Sequence, residues 1–177
     1  MGVSLSLWLL TFSSLSSPAQ EPLLNQKIVN FCEEHLGRKV GNGNCYALAH
    51  CALIDAGARA KFPDYPGKGD YVWGDLVYYM ERDGAAVKSS GNTDFILPGD
   101  VIQFSDCRFG GKGWSQGFGH HTAVIVAVKY GGKELKILQQ AYNGKSVVTP
   151  LTIHPLELAD HLPAGTFQPP ITSDLPA

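Results

Sequence analysis

Apolar side chains at positions 24, 28, 31, 32 and 36 recur at helical spacing through residues 22–36, and Gly37 supplies a stop. A helix is predicted there. Val40-Gly41-Asn42-Gly43-Asn44 is a turn-rich loop with a permissive backbone. Residues 45–58 are rich in Ala and Leu, lack β-branched runs and end at Gly57, so they predict a second, largely buried helix with Asn44 as its N-cap. Residues 61–74 mix Pro and Gly with Phe62, Tyr65, Tyr71 and Trp73 and read as an irregular loop. Leu76–Tyr79 starts a short element whose type the pattern leaves open. Pro98-Gly99 turns the chain into a β-prone run, Val101–Phe104.

Residues 106–119, with four glycines ahead of Gly119, read as a loop. His121–Val128 is a strand apolar on both faces. Gly131-Gly132 turns it into a returning strand, Leu135–Tyr142. Asn143-Gly144 is a hairpin turn, and Ser146–Leu151 is a further β-prone piece. The tail from Pro163 is Pro-rich and reads as extended or frayed. Helices first and an antiparallel sheet after them give the α+β class. The expected organisation is a leader over residues 1–19, one domain over 20–162 and a tail over 163–177.

The 177 residues suit one domain. With 44% apolar and 17% charged residues, disorder is excluded. The formal net charge of −2 offers no basic surplus for phosphates, which argues against a nucleic-acid partner. No run after the leader is long enough to cross a membrane as a helix. Residues 3–12 are mostly apolar, and Ser17-Pro18-Ala19 fits cleavage after Ala19, although no Lys or Arg precedes the run. A secreted, periplasmic or cell-envelope protein is therefore expected, acting as a monomer. The four cysteines, Cys32, Cys45, Cys51 and Cys107, form no C-x-x-C pair. After export, one bridge among Cys32, Cys51 and Cys107 is open.

Cys45 sits where the Gly/Asn loop becomes a helix. A thiolate there gains from the positive end of the helix dipole and from free backbone N–H groups. Such a thiol becomes a usable nucleophile; otherwise a lone cysteine is a small core residue. His121, 76 residues on at the start of a buried strand, supplies the base a nucleophilic Cys needs. By alternation it shares a face with Ala123, Ile125 and Ala127, whose small residues would let the Cys45 helix approach. His120 is the rival base. Gln139 and Gln140 lie on the returning strand, with Gln139 on the face of Leu135 and Ile137. A metal site of His120, His121 and Cys107 is disfavoured, because adjacent strand residues point to opposite faces. No metal or other cofactor is expected.

Four segments appear in order: Gly41-Asn-Gly-Asn-Cys45-Tyr-Ala-Leu-Ala, Leu97-Pro-Gly-Asp-Val-Ile-Gln-Phe104, Gly119-His-His-Thr-Ala-Val-Ile125 and Ile137-Leu-Gln-Gln-Ala141. Together they resemble the CHAP and NlpC-like branch of the papain-like cysteine peptidase superfamily over about residues 25–150. The resemblance implies a papain-like fold with N-terminal helices packed on a small antiparallel sheet. It implies Cys45 as nucleophile, His121 as base and Gln139 as the third polar residue. CHAP members commonly carry a carboxylate at the position of Gln139 and an Asn at that of Ala141. The implied activity is hydrolysis of a peptide or related amide, with cell-wall peptide or an N-acyl amino-sugar linkage as the substrate class. A catalytically silent binding module on the same fold is the alternative. Asn42 and Asn44 are candidate oxyanion or supporting residues, and Trp73 and Trp114 are candidates to line a substrate groove.

Overall fold

The structure is a computed structural model that describes residues 23–58, 73–83, 86–111, 114–155 and 166–172. The expected leader, residues 1–19, lies outside the described residues. Helix α1 (Leu24–Glu34) buries Ile28, Val29 and Cys32, one stripe of the helical repeat. Helix α2 (Cys45–Asp55) buries Ala47, Leu48, Ala49, Ala52 and Leu53. Between them residues 37 and 38 are laced to Val148: Gly37 N–H donates to the Val148 carbonyl at 2.9 Å and Val148 N–H to that of Arg38 at 2.9 Å.

The strands are β1 (Asp75–Leu76), β2 (Tyr78–Asp83), β3 (Ala86–Gly91), β4 (Val101–Ser105), β5 (Cys107–Gly111), β6 (Trp114–Phe118), β7 (His121–Lys129), β8 (Glu134–Gln139), β9 (Thr149–Ile153) and β10 (Thr166–Thr172). A 3₁₀ turn, Thr93–Phe95, precedes β4. The main sheet runs in the order β3-β2-β10-β4-β7-β8-β9, with β1 pairing beside β10. β5 and β6 form a separate hairpin.

Strand β7 separates two apolar layers. Val124 and Val126 join Val101, Leu138 and the two helices. Ala123 and Ile125 join Ile102, Phe104, Ile137, Phe109 and Phe118 on the other side. A one-residue slip of β7 would exchange these faces, so burial on both sides fixes the register that pairs Phe104 with His121 and Gln103 with Thr122. The turn into β4 is equally constrained. Gly99 has φ +96°, and a Cβ there would lie 2.6 Å from Asn25 Cα, so the position requires glycine. Both carboxylate oxygens of buried Asp100 accept hydrogen bonds, from Asn25 Nδ2 at 3.3 Å and Leu97 N–H at 2.8 Å.

Four expectations are corrected. The Gly-rich segment 106–119 is largely the β5–β6 hairpin, not a loop. Its glycines accompany Phe109 and Phe118, whose burial with Phe104 outweighs the weak strand propensity of glycine. Phe118 stacks on Phe104 with ring centroids 4.2 Å apart. These rings occupy the Ala123/Ile125 face, so α2 packs on the Val124/Val126 face and not on the small-residue face expected to receive it. The returning strand ends at Gln139, because Ala141 and Asn143 take positive φ, 59° and 50°. Part of the expected tail, Thr166–Thr172, lies inside the sheet between β2 and β4. Pro169 and Pro170 cannot donate ladder hydrogen bonds, and the pairing with β4 shifts register between Gln168 and Ile171, the stretch that holds them.

Candidate active site

Cys45 is the first residue of α2 and is half-buried. The loop ahead of it is held by Asn42, whose Oδ1 accepts from the Asn44 N–H at 3.0 Å while Nδ2 donates to the Tyr46 hydroxyl at 2.9 Å. Asn42 is thus a brace within the loop. Asn44 holds the N-cap position with extended backbone, but its exposed side chain makes no capping hydrogen bond. The side-chain cap expected from sequence is not formed.

His121 opens β7 and is 6% exposed. Its Nε2 lies 2.7 Å from Oε1 of Gln139, itself 1% exposed. An amide oxygen only accepts, so this bond places the proton on Nε2 and the basic lone pair on Nδ1. The ring sits among Phe118, Tyr142 and Phe104, with centroids at 5.5, 5.7 and 6.1 Å. Burial in this aromatic setting pushes the imidazole pKa below its ordinary value, and the Gln139 bond opposes that only in part. Neutral imidazole is therefore the resting form near pH 7. The His121 carbonyl accepts from Gln103 Nε2 at 3.1 Å, which ties the start of β7 to β4.

The structure brings His121 and Gln139 together. Cys45 opens α2, which packs on the opposite face of β7 from the His121 ring, and no hydrogen bond joins the two side chains among the described residues. Gln140, next to Gln139 in the chain, ties the loop ahead of Cys45 to this end of the sheet by donating to the Asn44 carbonyl at 2.8 Å. Sequence reasoning did not single out Gln140 as a site residue, because a strand glutamine is usually solvated. Alternation places it with Lys136 and Leu138, a mixed face that gives no sign of burial. Gln103 was missed for the same reason. Its Oε1 accepts from Thr122 Oγ1 at 3.0 Å and from the Trp73 indole at 3.3 Å.

Trp73 is 7% exposed and packs in the layer shared with the helices. An indole enclosed there and bonded to Gln103 serves the core, which corrects its assignment to an open groove. Trp114 belongs to β6, and its side chain lies outside the described residues. His120 is exposed. All four cysteines are free, so no bridge joins Cys32, Cys51 and Cys107. Burial, with a smaller contribution from Glu33, pushes the Cys32 thiol up to about 12. Burial likewise raises Cys107 to about 12. Cys51 is also raised by burial.

Residues 21–160 match the model of a family described as the AIM3/BBC1 cysteine proteinase-fold domain. "Altered inheritance of mitochondria protein 3" of Debaryomyces hansenii is 26% identical over 133 residues. That alignment covers 73% of this chain but only 14% of the relative's length. Two solved structures, the crystal structure of Ly7917 and that of Ly7917 with the hydrolyzing product of MDP, are each 20% identical. They align with TM-scores of 0.45 and 0.46, over 84% of this chain and 63% of theirs.

Proposed function

Since this chain belongs to the AIM3/BBC1 cysteine proteinase-fold domain family, we propose that it is a cysteine-dependent amide or peptide hydrolase acting through Cys45, His121 and Gln139. The observation that carries this reading is the buried 2.7 Å bond between His121 Nε2 and Gln139 Oε1. It fixes a neutral imidazole in the tautomer whose Nδ1 can take a proton. The proposal narrows the papain-like cysteine proteinase fold to a chemistry; the CHAP and NlpC-like likeness adds cell-wall peptide as one substrate class.

In this mechanism Cys45 loses its proton to His121, and the thiolate attacks the amide carbonyl. A C–S bond forms, and the carbonyl oxygen becomes an oxyanion facing the backbone N–H of Cys45 at the helix start. The imidazolium returns its proton to the leaving amine as the C–N bond breaks. Water, deprotonated by His121, then hydrolyses the thioester. Gln139 orients the ring but supplies no negative charge to the imidazolium.

That last feature favours a second reading, a binding module that keeps the fold without turnover. The test is hydrolysis of a panel of peptides, cell-wall peptides and N-acyl amino-sugar amides by the wild type, Cys45→Ser and Gln139→Glu, with thermal melting as folding control. Turnover by the wild type that collapses in Cys45→Ser supports the hydrolase. Equal turnover by those two makes Cys45 structural. A silent wild type beside an active Gln139→Glu supports the module.

A further inference from the structure

Gln139 closes β8, Gln140 follows it, and the two side chains act on opposite faces of the sheet. Gln139 bonds the His121 ring on the aromatic face. Gln140, completely buried, reaches toward the helices and clasps the loop that leads into Cys45. Its Oε1 accepts from the Val40 N–H at 3.1 Å. Its Nε2 donates to the Val40 carbonyl at 2.9 Å and to the Asn44 carbonyl at 2.8 Å. The side-chain amide therefore pairs with Val40 as a neighbouring strand would, and fixes the peptide immediately before the nucleophile. We infer that Gln140 is a positioning residue: with Gln139 it makes the end of β8 a common support that sets the Cys45 loop in register with His121.

This inference rests on the reading of Cys45 and His121 as a working pair. The physical reason for the pairing is rigidity. Loop 40–44 contains Gly41 and Gly43 at positive φ, so its own backbone restrains it weakly. A shift of about 1 Å between nucleophile and base can cost on the order of a hundredfold in rate. Three hydrogen bonds from one buried amide restrain the loop, and they come from the residue adjoining the one that orients the base. No other residue type of this length offers a donor and an acceptor in the same plane without charge. Methionine keeps the length and removes all three bonds. Glutamate keeps the acceptor and loses both donor bonds.

The test uses the full chain and follows Cys45 alone, by peptide-resolved mass spectrometry of iodoacetamide labelling across pH. Four proteins are compared: the wild type, His121→Ala, Gln140→Met and the double variant. The wild type should label fastest. His121→Ala and Gln140→Met should each slow labelling at pH 7 by about tenfold. The double variant should match either single one. A Gln140→Met protein that melts earlier but keeps the wild-type labelling profile, and its sensitivity to His121→Ala, would make Gln140 merely structural and overturn the inference. If instead His121→Ala leaves the wild-type profile unchanged, the pair itself fails and the inference falls with it. Native-state hydrogen exchange needs no variant. The Val40 amide should exchange as slowly as the helix amides of α2, and exchange at the rate of the exposed loop would also overturn the clamp.

Discussion

The ring of His121 and the side-chain amide of Gln139 are both buried and meet at 2.7 Å, with the amide oxygen as acceptor and Nε2–H as donor. Replacing the neutral acceptor by an anion should stabilise imidazolium, because charge-assisted hydrogen bonds are about twice as strong as neutral ones. Gln139→Glu is expected to raise the His121 pKa by about one unit or more, read from its imidazole proton resonances. Gln139→Ala should lower turnover by up to about a hundredfold through loss of orientation. It should cost roughly 1–3 kcal/mol in stability, since a buried N–H loses its partner. An unmoved His121 titration in Gln139→Glu would contradict the contact.

The same burial sets a pH dependence of stability. The folded pKa of His121 lies below the unfolded value because burial disfavours the charged ring. The unfolded chain therefore binds the proton first, and stability rises with pH across this interval. Stability is full above the unfolded value, about 6.5, and is lost as pH falls from there through the depressed folded value. His50, also lowered by burial, acts in the same direction. Thermal melting between pH 7.5 and 5.5 should show His121→Gln losing less stability than the wild type. Equal slopes would show that His121 is protonated without penalty.

Thiol reactivity should separate the four cysteines. Cys32 and Cys107 are buried with pKa values pushed up to about 12, whereas Cys45 is half-buried at a helix start. Under native conditions at pH 8, iodoacetamide should modify Cys45 first and reach Cys32 and Cys107 only after unfolding. The mass of the non-reduced protein should correspond to four free thiols. Early labelling of Cys107, or a bridge that includes Cys45, would contradict this arrangement.

Strand β10 gives the test of the fold. It lies between β2 and β4, so removing residues 163–177 should leave two sheet edges unpaired. The truncated protein is expected to melt well below the full chain and to aggregate. A melting temperature equal to that of the full chain would mean that the strand contributes nothing to the sheet.

Much of this architecture was legible in the chain. The helical spacing of the first helix, which ends at Glu34 and leaves the exposed Leu36 outside it, the Ala/Leu-rich composition of the run from Cys45 and the unbroken apolar run from His121 each announce their element. Local signals also located the Pro98-Gly99 turn, whose glycine adopts φ +96°. What was not legible depended on distant partners. Phe109 and Phe118 turn a Gly-rich stretch into a hairpin only because Phe104 offers a ring to stack on. That aromatic layer then decides which face of β7 receives α2, a choice that small residues at 123 and 127 do not reveal. Alternation placed Gln139 on the face it occupies, but its contact with the first residue of β7 depends on strand register. The role of Gln140 is not legible in the chain, because its partners, Val40 and Asn44, lie about a hundred residues earlier.

As the proposed nucleophile, Cys45 becomes acylated during turnover, and acid-quenched mass spectrometry detects that acyl group. The full chain is mixed with an amide substrate that it hydrolyses, stopped within the first turnovers and digested. The acyl mass is expected on the peptide carrying Cys45, absent in Cys45→Ala and strongly reduced in His121→Ala. Hydrolysis with no acyl mass on Cys45, undiminished in Cys45→Ala, would contradict that role of Cys45.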